Sequence, residues 1–237
     1  METRRDLAND ICLDFVANLL DSGHVVEEWN PIKNKISGVH EGKKWSLRLP
    51  LHFPLAEDGQ SFLSYFETLS EAFPQYFLIL IQAGHAALAY FEDGECLHHK
   101  VIKKYMVRGN GRAQLGYLKT RGKSKAGSRI RLANTVSFFE DINEKLDEWD
   151  VEPQATRILL SCTAKMLPML FQSKVPPPFD KDDPRITKVP FDLQKPTLEE
   201  LMQVNKQIMR GRWEGPADTV DAYFARKREA ESNDWED

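Results

Sequence analysis

Cysteine is scarce: Cys12, Cys96 and Cys162 stand far apart, and none has a partner at CxxC spacing. That pattern argues against a disulfide framework or a thiolate zinc site and points to reduced thiols in a cytoplasmic protein. Long apolar runs are also missing. None approaches the ~20 residues that cross a bilayer, so no membrane partner is expected. The opening METRRDLANDICLDF lacks the apolar core and small-residue cleavage site of a secretory signal. His98-His99 is an adjacent imidazole pair, but no second cluster stands at metal-site spacing, so neither a metal nor another cofactor is expected. There is no internal repeat and no heptad array. What remains, 41% hydrophobic and 29% charged over 237 residues, suits one globular core with a helical appendage.

The most informative absence is local. From Lys100 to Arg131 there is no Asp or Glu, against eleven Lys or Arg residues. The rest of the chain then carries 21 basic residues against all 36 acidic ones. A net charge of −4 hides this segregation, which marks one polyanion-facing surface on an otherwise acidic protein. Within the basic segment, Gly109–Gly116 (GNGRAQLG) has three glycines and no apolar periodicity, so it reads as a mobile loop. A charge run is often only a solvated face. This one lies between a strand pattern and a helix pattern, and long loops inserted into a domain are usually functional or disordered.

The flanks supply a fold. Residues 6–21 place Leu7, Ile11, Phe15 and Leu19 four apart, an amphipathic helix. Asn30-Pro31 and GVHEG (38–42) then suggest a boundary near residue 40. Alternation in WSLRLPLHF (45–53) reads as a strand, and 61–73 as a helix ended by Pro74. YFLILIQA (76–83) is a strand buried on both faces. It is followed by strands over 85–91 and 97–107, joined by an Asp-Gly hairpin turn. After the basic segment come a helix (133–149), a strand (156–163), a short helix (165–171), a strand (186–191) and a helix (196–210). Thr197 is placed to cap that last helix, with Glu200 three residues on. The expected class is α/β: an antiparallel meander, then alternating helix and strand in a mixed sheet. Residues 213–237 read as a charged, partly disordered tail with at best a short solvated helix.

Several segments resemble one family. They are Lys104-Tyr105-Met106-Val107-Arg108, then Gly111-Arg112-Ala113-Gln114, then Gly122–Ser128 (GKSKAGS), then Arg131-Leu132-Ala133-Asn134. In this order and spacing they resemble the catalytic domain of the Vms/ANKZF-like release factors (the VLRF family). Those domains are in turn similar to the middle domain of class I eukaryotic release factors. The likeness continues through ILLSCTAKMLPMLF, DDPRITKVPF and KPTLEELMQVNKQI, covering roughly residues 76–212. It implies an RNase H-like fold; with the boundary near residue 40, the chain then divides into an N-terminal helical extension over 1–40, the release-factor-like domain over 41–212 with a mobile loop at 108–130, and the tail over 213–237. The chain shows no zinc finger, ankyrin repeat or long coiled coil, which suits a bacterial member. Where the release factors carry Gly-Gly-Gln, this loop reads Gly111-Arg112-Ala113-Gln114, and Arg112 and Ala113 adopt positive φ less readily than glycine.

The resemblance implies a monomeric ribosome-rescue factor whose partners are the large ribosomal subunit, its rRNA and peptidyl-tRNA. Gln114, at the tip of the loop formed with Gly111, Arg112 and Ala113, is the expected catalytic residue. An amide does not titrate near pH 7, so its work is positional: orienting a water or stabilising an oxyanion. Arms of about seven residues at ~3.4 Å each would project the tip 20–25 Å. Arg108, Lys119, Arg121, Lys123, Lys125, Arg129 and Arg131 are expected on phosphates, contributing affinity more than sequence preference. Ser128 stands near the expected helix start, where backbone N–H groups also favour a phosphate. Tyr105 and Met106 read as strand residues with one face buried. Three activities compete: peptidyl-tRNA hydrolysis, tRNA cleavage near the CCA end, and catalytically silent binding of RNA or ribosome. A metal-dependent nuclease is a further class, but the strands supply almost none of the clustered acids it needs.

Overall fold

The computed structural model describes residues 2–69, 74–105, 124–150, 154–191, 193 and 195–233, with backbone only at 124–132 and 231–233. The chain opens with β1 (Glu2–Leu7), α1 (Asn9–Asp21), β2 (Glu28–Asn30), β3 (Lys35–His40), β4 (Lys43–Arg48) and α2 (Phe62–Leu69). Next come β5 (Gln75–Gln82), β6 (His85–Glu92), β7 (Glu95–Lys103), α3 (Ser124–Glu148) and β8 (Arg157–Ser161). The last are α4 (Leu167–Phe171), β9 (Ile186–Lys188), α5 (Leu198–Ile208), β10 (Gly211–Pro216) and α6 (Ala217–Asn233). Among the described residues the strands form two five-stranded sheets, and the class is α/β. Two compact units result. One joins 1–72 to 206–237, and the other is 73–205.

The first unit is built on an antiparallel sheet in the order β1-β10-β4-β3-β2. Its core holds Phe15, Trp45, Tyr65, Trp213 and Tyr223. The Phe15 ring meets Trp213 edge-on at 5.2 Å and Tyr223 at 5.1 Å, the geometry that aromatic quadrupoles favour. The Tyr223 hydroxyl donates to Asp14 Oδ2 at 2.6 Å, and Arg212 Nε donates to Asp6 Oδ1 at 2.7 Å. This arrangement corrects the expected boundaries. Residues 1–40 contribute three strands as well as a helix, and the division near residue 40 falls inside the β3–β4 hairpin, whose turn residues Glu41 and Gly42 have φ of 50° and 74°. Residues 213–233 are no tail: β10 pairs with β1 and β4, and α6 is 17 residues long; residues 234–237 lie outside the described residues. Val220 and Tyr223 sit three apart in α6 and are both buried. Gly211 is required at its place, because a Cβ there would collide with the buried Cys12 sulfur. Burial pushes that thiol up to about 12.

The second unit carries the basic segment. Its sheet runs β7-β6-β5-β8-β9, antiparallel across β7, β6 and β5 and parallel across β5, β8 and β9. The two-residue β6–β7 turn has both Asp93 (φ 47°) and Gly94 (φ 81°) at positive φ, as a type I′ hairpin requires. On one face, Phe77, Ile79, Leu88, Tyr90 and Ile102 pack against Phe138, Phe139, Ile142 and Leu146 of α3. On the other, Tyr76 donates to Asn205 Oδ1 at 2.7 Å, and Thr197 caps α5 by accepting from the Glu200 N–H at 3.1 Å. The connection into β9 is tied by Arg185. Its Nη2 donates to Asp183 Oδ2 at 2.6 Å and its Nη1 to the Ala155 carbonyl at 2.9 Å. The Arg185 guanidinium holds the Asp183 carboxyl below the usual carboxylate range.

Candidate functional site

The strand and the helix that bracket the basic segment are fastened to each other at its base. β7 is the edge strand of its sheet, and pairing continues one residue past it, where Lys104 N–H donates to the Gly84 carbonyl at 2.9 Å. The Lys104 ammonium then crosses to α3. It donates to Ser137 Oγ at 2.9 Å and the Ser137 carbonyl at 3.1 Å, and pairs with Asp141 Oδ2 at 2.6 Å. One residue on, Asn134 Nδ2 donates to the Tyr105 carbonyl at 3.1 Å. Each contact is modest. A part-exposed ion pair is worth about 0.2–1 kcal/mol and a net hydrogen bond about 0.5–1.5 kcal/mol. Together they fix where the chain leaves the sheet at Tyr105, on the side where α3 is held.

Helix α3 begins at Ser124, well before the start expected at 133. Lys125, Ser128 and Arg129 therefore stand on helical backbone inside the 108–130 span expected as loop, and Arg131 stands on the same helix; their side chains lie outside the described atoms. Gln114, with Gly111, Arg112 and Ala113, lies outside the described residues, as do Arg108, Lys119, Arg121 and Lys123. Met106 lies there too, whereas Tyr105 is described and departs from expectation: the residue is 74% exposed. His98 and His99 do not converge. They alternate across β7, with His98 stacked on Trp149 at 5.5 Å and His99 exposed. Among the described residues no three His, Cys, Asp or Glu side chains gather as a metal site would need, and no helix is long and apolar enough to cross a membrane.

The clamp was not foreseen from residue types. Lys104 and Asn134 do lie within the segments that carry the family resemblance, at the first and last residues of the stretches flanking the glutamine. Asp141 had no such signal, because one carboxylate on a helix face rich in Glu and Asp looks like any other.

A family model described as Bacteroidetes VLRF1 release factor matches residues 76–214. Among curated proteins, tRNA endonuclease ANKZF1 of Mus musculus is 27% identical over 143 residues, covering 58% of this chain and 19% of that protein. Its Homo sapiens counterpart is 29% identical over 132 residues, covering 54% and 18%. The tRNA endonuclease vms-1 of Caenorhabditis elegans is 25% identical over 128 residues, covering 52% and 20%. The chain thus spans about one-fifth of the length of these relatives. A solved structure described as Vms1 mitochondrial localization core aligns at a TM-score of 0.45 and 17% identity, over 83% of this chain and 79% of that one.

Proposed function

Since the chain belongs to the Bacteroidetes VLRF1 release factor family, we propose that it frees the nascent chain from peptidyl-tRNA on stalled large ribosomal subunits, with Gln114 entering the peptidyl-transferase centre. The observation that carries this reading is the family match over 76–214, which takes in the anchored ends β7 and α3 and the whole basic segment between them. The strand order β7-β6-β5-β8-β9, part antiparallel and part parallel, supports an RNase H-like core for that domain. The clamp of Lys104 and Asn134 supports a loop that is aimed from a fixed base.

In this mechanism Arg108, Lys119, Arg121, Lys123, Lys125, Arg129 and Arg131 bind RNA phosphates, and Ser128 adds a hydrogen bond. Their role is to bring and orient the loop. Gln114 is uncharged, so it enters an RNA-lined pocket without being captured by phosphate. Its amide carbonyl accepts from a water aimed at the ester carbonyl, or its backbone N–H donates to the oxyanion that forms. The terminal ribose hydroxyl of the tRNA relays the proton. Arg112 and Ala113 stand where related release factors have glycines, and both adopt positive φ less readily than glycine. Replacing Gln114 with Ala and measuring peptide release from purified stalled complexes tests the proposal. Release at the wild-type rate would sink it.

A second reading is favoured by the relatives themselves, which are described as tRNA endonucleases. The same loop would then present the tRNA backbone, near its CCA end, for cleavage by an internal ribose hydroxyl or a water. Sizing the tRNA product separates the two reactions. An intact CCA end means ester hydrolysis, and a shortened end means endonucleolytic cleavage.

A further inference from the structure

We infer that Tyr105 is a stacking platform for an unpaired base of RNA, with Lys103 beside it to take the adjoining phosphate. The identity of the ligand as RNA rests on the release-factor reading; the platform rests on geometry. Among the described aromatic residues Tyr105 alone is largely exposed, with 74% of its surface in water. Its backbone is held from both sides. The preceding Lys104 N–H binds the Gly84 carbonyl at 2.9 Å, and its own carbonyl accepts from Asn134 at 3.1 Å. Lys104 itself is tied to Ser137 and Asp141. An exposed aromatic on a backbone fixed in this way loses little conformational freedom when a flat ligand docks, which is what makes a stacking surface effective.

The surroundings select the ligand. Ile102 is buried in the core under α3, so strand alternation turns Lys103 and His99 to the opposite side of β7, where both are exposed. His85 stands directly across from Lys103 in the β6–β7 register. Asp141, a carboxylate of α3 that faces this end of the strand, is already paired with Lys104. The next residues in sequence are those of the basic island. An exposed aromatic two residues after an exposed lysine, at the point in the sequence where the polycationic segment begins, suits a nucleobase with its phosphate better than a peptide. Stacking tolerates any base, so the platform would position an unpaired nucleotide without reading its identity.

The unpaired base can come from tRNA or from rRNA, and equilibrium binding to three probes distinguishes them. The probes are a tRNA with its unpaired 3′ end, the same tRNA with that end trimmed, and large ribosomal subunits. The full chain is compared with Y105A, Y105W and K103Q. Y105A should weaken binding about tenfold to the probe that supplies the base, and Y105W should restore it. If wild type prefers intact over trimmed tRNA and Y105A erases that preference, the base belongs to the tRNA 3′ end. If the loss appears on subunits alone, it belongs to rRNA. K103Q should lower the salt slope by about 0.7. Wild-type binding of Y105A to all three probes overturns the inference. So does failure of Y105W to restore binding with an unchanged thermal melt, since a stacking role requires only an aromatic face. The release reading fails by a different result: Q114A that still releases peptide at full rate, whatever Tyr105 does.

Discussion

Asp183 accepts from three donors of Arg185, the backbone N–H at 2.8 Å, Nε at 3.0 and 3.2 Å to its two oxygens and Nη2 at 2.6 Å, and its side chain is only 10% exposed. Because Arg185 lowers the folded-state pKa of Asp183 below its ordinary 3.8, the unfolded chain binds that proton more readily than the folded one. The stabilisation is therefore fully present above roughly pH 4 and is lost as pH falls through the lower folded value. Asp183→Asn should cost about 1.5–3 kcal/mol at pH 7, measured by urea unfolding, and the gap to wild type should close in acid. A gap that stays constant down to the acid limit would rule out the ion pair as its source. Gln114 and Asp183 were legible to different degrees. The glutamine stands out by its glycine-rich, acid-free context in the sequence, whereas the Asp183–Arg185 tie is invisible among the neighbouring charges of DKDDPR until the chain is folded.

The strand–helix clamp fastens β7 and α3, the elements that bracket the basic segment, to each other, and its effect should appear in function before stability. Lys104→Met removes the contacts to Ser137 and Asp141, and Asn134→Ala removes the one to Tyr105. Combined, they should lower the release rate by about tenfold, because misplacing a reacting group by even 1 Å is costly. The thermal midpoint should move by only a few degrees, as expected for about 1–2 kcal/mol. A release rate unchanged in the double variant would show that the loop is aimed by other contacts. Elements differ in how plainly they are written. β5 reads directly as a continuous apolar run, and the Asp93-Gly94 turn announces the β6–β7 hairpin. β10 does not, because two of its three inward positions are the glycines of Gly211-Arg212-Trp213-Glu214-Gly215, which erases the alternation a strand normally shows. β1 is hidden for another reason: it is an edge strand whose exposed Arg4, Arg5 and Asp6 look like a polar terminus. α6 is obscured by its charges, although Val220, Tyr223 and Phe224 carry the three-and-four spacing of a packed face.

For the molecule as a whole, the segregation of charge is the feature that composition alone conceals. Eleven basic residues without one acid between 100 and 131, set in a chain of net charge −4, should make ribosome binding steeply dependent on salt. Replacing Lys119, Arg121, Lys123 and Lys125 together with Gln should reduce the slope of log K against log salt by roughly three, at about 0.7 per single-strand phosphate contact. An unchanged slope would mean that these side chains do not face RNA. The charges concern association, however, and the central claim concerns chemistry. Its most direct measurement is single-turnover peptide release from purified stalled large-subunit complexes by wild type and Gln114→Ala, with binding followed in parallel. The account predicts that Gln114→Ala binds like wild type and releases at least about 100-fold more slowly, the loss typical of removing one group that positions or stabilises the reacting centre. Release at the wild-type rate by a variant that still binds would contradict it.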